Sequence, residues 1–178
     1  MKRLLASAAV GIGLIVIAAT VHTEVAGSKS APKLVNGAQS IDQLLDQFQH
    51  ALNAKDESAL HRLRVTEDEY RRIIIPGTIK PGEPPREVEQ TSSVFFWQML
   101  NQKSVDVGRS LLEHFGGHQT TRKSVKFTKG SRQFGWYTAH GDVRLTLEDE
   151  QGRVRELHTG AIAEVDGRFK FIGFNSNS

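Results

Sequence analysis

Residues 137–174 read YTAHGDVRLTLEDEQGRVRELHTGAIAEVDGRFKFIGF, and the period of this stretch decides the fold. Val143, Leu145 and Leu147 alternate with Asp142, Arg144, Thr146 and Glu148, and Phe169 and Phe171 alternate with Arg168 and Lys170. Side chains of an extended chain point to opposite faces in turn, so this alternation predicts strands with one buried and one wet face. The punctuation agrees. Asp149-Glu150-Gln151-Gly152 suits a short hairpin loop, and Asp166-Gly167 is a dipeptide favoured in two-residue hairpin turns. Successive hairpins make an antiparallel sheet. Working back, Val125 and Phe127 alternate with Ser124 and Lys126, so the period of two begins near Thr120.

Upstream the period is helical. Ser40 can cap a helix in which Ile41, Leu44, Leu45, Phe48 and Leu52 form one apolar stripe. Asn53-Ala54-Lys55-Asp56 breaks it, and Ala59, Leu60 and Leu63 indicate a second, short helix. Thr66 followed by Glu69 is a capping-box pair, which predicts a third helix through Tyr70, Ile73 and Ile74 until Pro76-Gly77 stops it. Pro76, Pro81, Pro84 and Pro85 then make a stiff loop through Arg86, readable as a lid, a contact strip or a plain connection. Phe96, Met99, Leu100, Val107 and Leu111 trace a further helical stripe, as one helix or two, which Gly116-Gly117 ends. Helices followed by hairpins predict an α+β domain with helices covering one face of the sheet.

At the other end of the chain, Lys2 and Arg3 precede Leu4 to Val21, which carries no charge, before His22 and Glu24. A basic start followed by an apolar run is the pattern of a signal peptide or an uncleaved membrane anchor. The run is long for the first and short for the second, so cleavage and anchoring both stay open. Either outcome carries the rest of the chain across the membrane, giving a periplasmic or tethered domain. The expected organisation is therefore a leader over residues 1–27, a linker over 28–39 and one domain over 40–178.

Lys and Arg number 23 against 20 Asp and Glu, a formal charge of +3, and the two signs are interspersed rather than striped. Nucleic acid is an unsuitable partner for such a surface. There is no cysteine, which excludes disulfides, thiolate metal ligands and a Cys nucleophile. GxxxxGK[ST], GxGxxG, GxSxG and HExxH are also absent, and no cofactor is implied.

The order of elements resembles the nuclear-transport-factor-2-like superfamily, which includes ketosteroid isomerase and the polyketide cyclases. The likeness rests on an amphipathic helix entering the phrase Ala51-Leu52-Asn53-Ala54-Lys55-Asp56-Glu57-Ser58-Ala59-Leu60-His61-Arg62-Leu63, and on the closing strands from Tyr137 to Phe174. It implies a cone, in which a bent antiparallel sheet wraps the helices and leaves an apolar cavity at its wide end. Some relatives catalyse proton transfer there, some bind ligands and others use the sheet for dimerisation. The catalytic positions of the isomerase-type members find no match here, so no catalytic residue carries over.

Candidate site residues follow from chemistry. His140, Asp142 and Arg144 fall at alternate positions of one strand and would share a face if that strand is regular, either lining the cavity or forming a solvated ion pair. Ser104 interrupts the fourth helical stripe and either lines a pocket or bonds its own backbone four residues back. Trp97, Trp136 and Tyr137 serve as pocket walls or as core. His114 and His118 have the spacing of a metal pair, but Gly116-Gly117 between them favours His114 as a helix C-terminal cap, and no metal site is expected. The leading functional expectation is a non-catalytic exported domain that binds an apolar small molecule or an envelope protein. The alternatives are an isomerase, cyclase or dehydratase-type enzyme with His140 or Asp142 as base, and a homodimeric or complex-assembly subunit.

Overall fold

The computed structural model describes residues 32–78 and 90–175. The leader read in residues 1–27 and all of the Pro-rich loop after its first three residues, 76–78, lie outside the described residues. Among those described, no helix is long and apolar enough to cross a membrane.

Helix α1 (Ile41–Asn53) starts where Ser40 accepts a hydrogen bond from the Gln43 amide, and its stripe of Leu44, Leu45, Phe48, Ala51 and Leu52 is buried. Lys55, with φ of 53°, turns the chain into α2 (Glu57–Arg62), which Asp56 caps by accepting from the Ala59 amide. Thr66 and Glu69 form the capping box expected of them and open a continuous helical run. That run comprises α3 (Glu67–Glu69), a π-helical turn over Tyr70–Ile74, and α4 (Ile75–Gly77). Within it the Ile75 amide reaches back to the Tyr70 carbonyl, one residue further than in an α-helix. Pro76 has no amide to continue the regular ladder, and the widened turn immediately precedes it. Helix α5 (Gln90–Phe115) is a single helix, ended by Gly117 at φ of 78°.

Strands β1 (Thr120–Phe127), β2 (Ser131–Gln133), β3 (Thr138–Asp149), β4 (Val154–Val165) and β5 (Arg168–Phe171) form one antiparallel sheet of order β1-β3-β4-β5, with β2 pairing β3 beyond the end of β1. Asp166 and Gly167, both at positive φ, make the expected hairpin turn. The sheet is curved, and the register shows where. It shifts between His140 and Val143, again between Val143 and Arg144, and once on β1 between Arg122 and Ser124. Each extra residue bends its strand and deepens the twist.

The core divides by strand alternation. Val143, Leu145, Leu147, Leu157, Ile162 and Phe171 face α1, α2 and the C-terminal half of α5, where Phe48, Phe171 and Phe174 pack with ring centroids 5.4–5.8 Å apart. Tyr137, Ala163 and Val165 belong to a second cluster with Leu34, Val65, Ile73 and Ile74. Because Ala163 follows Ile162 directly, these side chains project from the other side of β4, and the run Glu67–Gly77 packs there. Helices therefore cover both sides of this end of the sheet, not the single face expected from element order. Leu34 is buried, and Ala38 exchanges both backbone hydrogen bonds with Phe169, which ties the segment ahead of Ser40 to β5. One other expectation is corrected. Phe96 and Met99 are 51% and 57% exposed, because the N-terminal half of α5 extends past the cluster that buries Val107, Leu111 and Leu112.

Candidate functional site

The hollow of the sheet is filled, since Phe48, Leu145, Ile162 and Phe171 show no solvent exposure and Phe174 only 1%. A large concavity among the described residues lies elsewhere. It is an open groove of about 1140 Å³ against α1, α2, the 63–67 connection and the middle of α5. Leu63, Val65, Trp97 and Val105 give it apolar walls, and His50, His61, Arg64 and Asn101 give it polar points.

Its position follows from local geometry. Arg64 makes a parallel bridge to Phe171, and the Val65 amide donates to the Phe171 carbonyl at 2.8 Å, so this short extended segment docks beside β5 before the capping box turns the chain. Docking carries the Arg64 side chain inward, where it is 3% exposed. The Arg64 Nη2 donates to Asn101 Oδ1 at 2.6 Å, Nη1 lies 3.2 Å from His61 Nδ1, and the guanidinium carbon stands 5.9 Å from the centre of the Phe174 ring. Its Nε is buried without a partner. Burial lowers the Arg64 pKa to about 10, because the charged form has lost much of its water.

Lys170 borders the same groove but is neutralised. Its ammonium donates to both Glu69 oxygens, at 3.0 and 2.9 Å, with both side chains 4% exposed. Glu69 also accepts from the Val35 amide at 2.6 Å and the Thr66 amide at 2.7 Å, so each carboxylate oxygen has at least two donors. A buried ion pair this well satisfied is structural.

Of the site residues singled out from sequence, Trp97 lines the groove, half-buried against Tyr70 at 5.6 Å between ring centroids. The others are dispersed. Ser104 is fully buried and accepts from the Phe174 amide at 3.1 Å, in place of the backbone bond within its own helix. Trp136 is 44% exposed in the turn after β2, while Tyr137 is buried and stacks on Phe134 at 4.8 Å. Burial, reinforced by Tyr70 and opposed by Arg132, pushes the Tyr137 phenol up to about 12 and keeps it neutral. The set His140, Asp142 and Arg144 does not share a face, because the shift between His140 and Val143 adds a residue at Gly141-Asp142, where Asp142 has φ of 36°. His140 sits between Ser131 Oγ and Glu164 Oε2, each 2.8 Å from a ring nitrogen. Asp142 pairs with Lys129 at 2.6 Å, and Arg144 with Glu156 at 3.2 Å on the polar side of the sheet. His114 holds the Ser110 carbonyl through Nδ1 at 2.7 Å. Among the described residues no group of His, Asp and Glu is arranged to hold a metal ion.

Arg64, Asn101 and Lys170 were not legible as site residues. Lys170 alternates with two phenylalanines and so reads as solvent-facing, and Arg64 carries no periodic signal. Its position between Leu63 and Val65, just ahead of a capping box, was the available hint.

These features define a small α+β domain with a curved antiparallel sheet, a filled concave face and an open groove beside its helices. No protein-family model matches the chain, and neither a curated protein nor a solved structure is recognisably similar to it.

Proposed function

We propose that this chain is an exported or membrane-tethered, non-catalytic domain that binds a small, largely apolar molecule in the groove beside Arg64. The observation that carries this reading is the groove itself. At about 1140 Å³ it is of ligand-binding size, with the half-buried Leu63, Trp97 and Val105 along its wall and polar side chains, Asp46 and Glu67 among them, around it. The basic start and uncharged run of residues 2–21 support export. The curved sheet is compatible with the cone of the nuclear-transport-factor-2-like superfamily, though its hollow is packed and the binding site moves to the helical side.

The test is titration of the purified protein with the neutral fluorophore N-phenyl-1-naphthylamine. Saturable one-to-one binding is expected, weakened at least about tenfold in Val105→Trp, which fills the groove from α5. Absence of saturable binding, or an unchanged affinity in that variant, overturns the reading. The assembly alternative draws on Phe95, Phe96 and Met99, each more than half exposed along one side of α5. A dimer in sedimentation velocity that Phe96→Glu dissolves would favour it.

A further inference from the structure

Arg64 is a cation in the wrong place for an apolar site. It is 3% exposed, yet no described carboxylate lies within ion-pairing distance of its guanidinium, whose partners are an amide oxygen, an imidazole nitrogen and an aromatic ring. Every other strongly buried charge near it is neutralised, as the Glu69 and Lys170 pair shows. Water must be given up to bury a guanidinium, and neutral acceptors return only part of that cost. The residues around it reinforce the asymmetry. Since Asn101 Oδ1 accepts from Arg64, its amide nitrogen is left as a donor, and no described residue accepts from it. His61 and Asn101 border the groove together with Arg64, and Trp97 and Val105 lie on the same helix as Asn101, each about one turn from it.

We propose that the groove takes an amphipathic organic carboxylate, with its carboxyl group received by Arg64 and the Asn101 amide and its apolar portion laid along Trp97, Val105 and Leu63. A guanidinium offers a planar fork that matches a carboxylate, and charge-assisted hydrogen bonds of this kind are about twice as strong as neutral ones. The lowered proton affinity of Arg64 is consistent with a desolvated cation that an entering anion would stabilise. This inference rests on the groove being the binding site, and it adds the class of ligand.

The experiment compares decanoate, decanol and decyltrimethylammonium at pH 8 by isothermal titration calorimetry on the full chain. The wild-type protein is expected to prefer decanoate over decanol by at least about tenfold, and to bind the cationic amphiphile least. In Arg64→Met that preference should fall to about twofold or less. Asn101→Leu, which leaves the arginine in place, should reduce it by roughly threefold to tenfold, and carries the test if Arg64→Met loses its near-ultraviolet circular dichroism. Equal binding of decanoate and decanol by the wild type, or a preference that survives both substitutions, overturns the carboxylate assignment and leaves the groove reading standing. Failure of all three amphiphiles and of N-phenyl-1-naphthylamine to bind overturns both.

Discussion

Arg64 and Lys170 are equally hidden, at 3% exposure each, and differ in what answers their charge. Lys170 meets a carboxylate that four hydrogen bonds saturate, two of them its own; Arg64 meets neutral groups in a groove wall. Ser104 makes the same distinction between structure and site among uncharged side chains. Its position on α5 suggested a pocket lining or a bond within the helix, but its hydroxyl accepts from the Phe174 amide and so fixes the segment that follows β5. Gly173 has to be glycine for this to happen, because a Cβ there would stand 2.7 Å from Ser104 Oγ. Ser104→Ala leaves a buried amide without an acceptor, so it is expected to lower stability by about 1–3 kcal/mol in urea denaturation while the binding of N-phenyl-1-naphthylamine is unchanged. A shift in binding with unaltered stability would return Ser104 to the site.

Single elements behaved as their periodicity dictated until an irregularity intervened. β3 alternates as expected over Val143–Leu147, but the inserted residue at Gly141-Asp142 moves His140 and Arg144 onto different faces. The second irregularity is on β4 at Gly160, where φ is 97° and a Cβ would fall 2.5 Å from the Gly173 carbonyl oxygen. Gly160→Ala combines strained backbone with a backbone clash, and a loss on the order of 1–3 kcal/mol or more is expected, read as a lowered denaturation midpoint. A neutral substitution would mean that the bend does not depend on this position. In α5 the apolar pattern continues beyond the surface available to cover it, which leaves Phe96 and Met99 exposed although they share a spacing with the buried Val107 and Leu111.

At the scale of the molecule, the Glu69 and Lys170 pair joins three segments distant in sequence: the capping turn of α3, β5 and, through the Val35 amide, the chain ahead of α1. Lys170→Met leaves Glu69 charged in a site with 4% exposure, and should cost about 3–5 kcal/mol. The double substitution Glu69→Leu with Lys170→Met removes both charges and should recover part of that loss, because most of the penalty belongs to the unpaired ion. Urea denaturation of the two variants checks this. A double variant less stable than Lys170→Met alone would show that the pair adds net stability beyond mutual neutralisation.

The sequence alone determined most of the elements and the change from helical to extended period, although β2 and the π-helical turn carried no reading and α5 stayed open as one helix or two. Caps at Ser40 and Thr66, the helical stripe of α1, the alternation in β1, β3 and β5 and the Asp166-Gly167 turn are all short-range patterns, written in residues a few positions apart. Tertiary structure decided the rest. Whether Lys170 faces water or Glu69 depends on a helix turn 101 positions away, and whether Arg64 is buried depends on β5 and α5 closing over a segment that has no periodicity of its own. A bulge, likewise, is one added residue whose place is set by the partner strand. Periodicity reports which way a side chain points along its own element, while charge burial and grooves arise from what other elements bring up against it, and that information is not local.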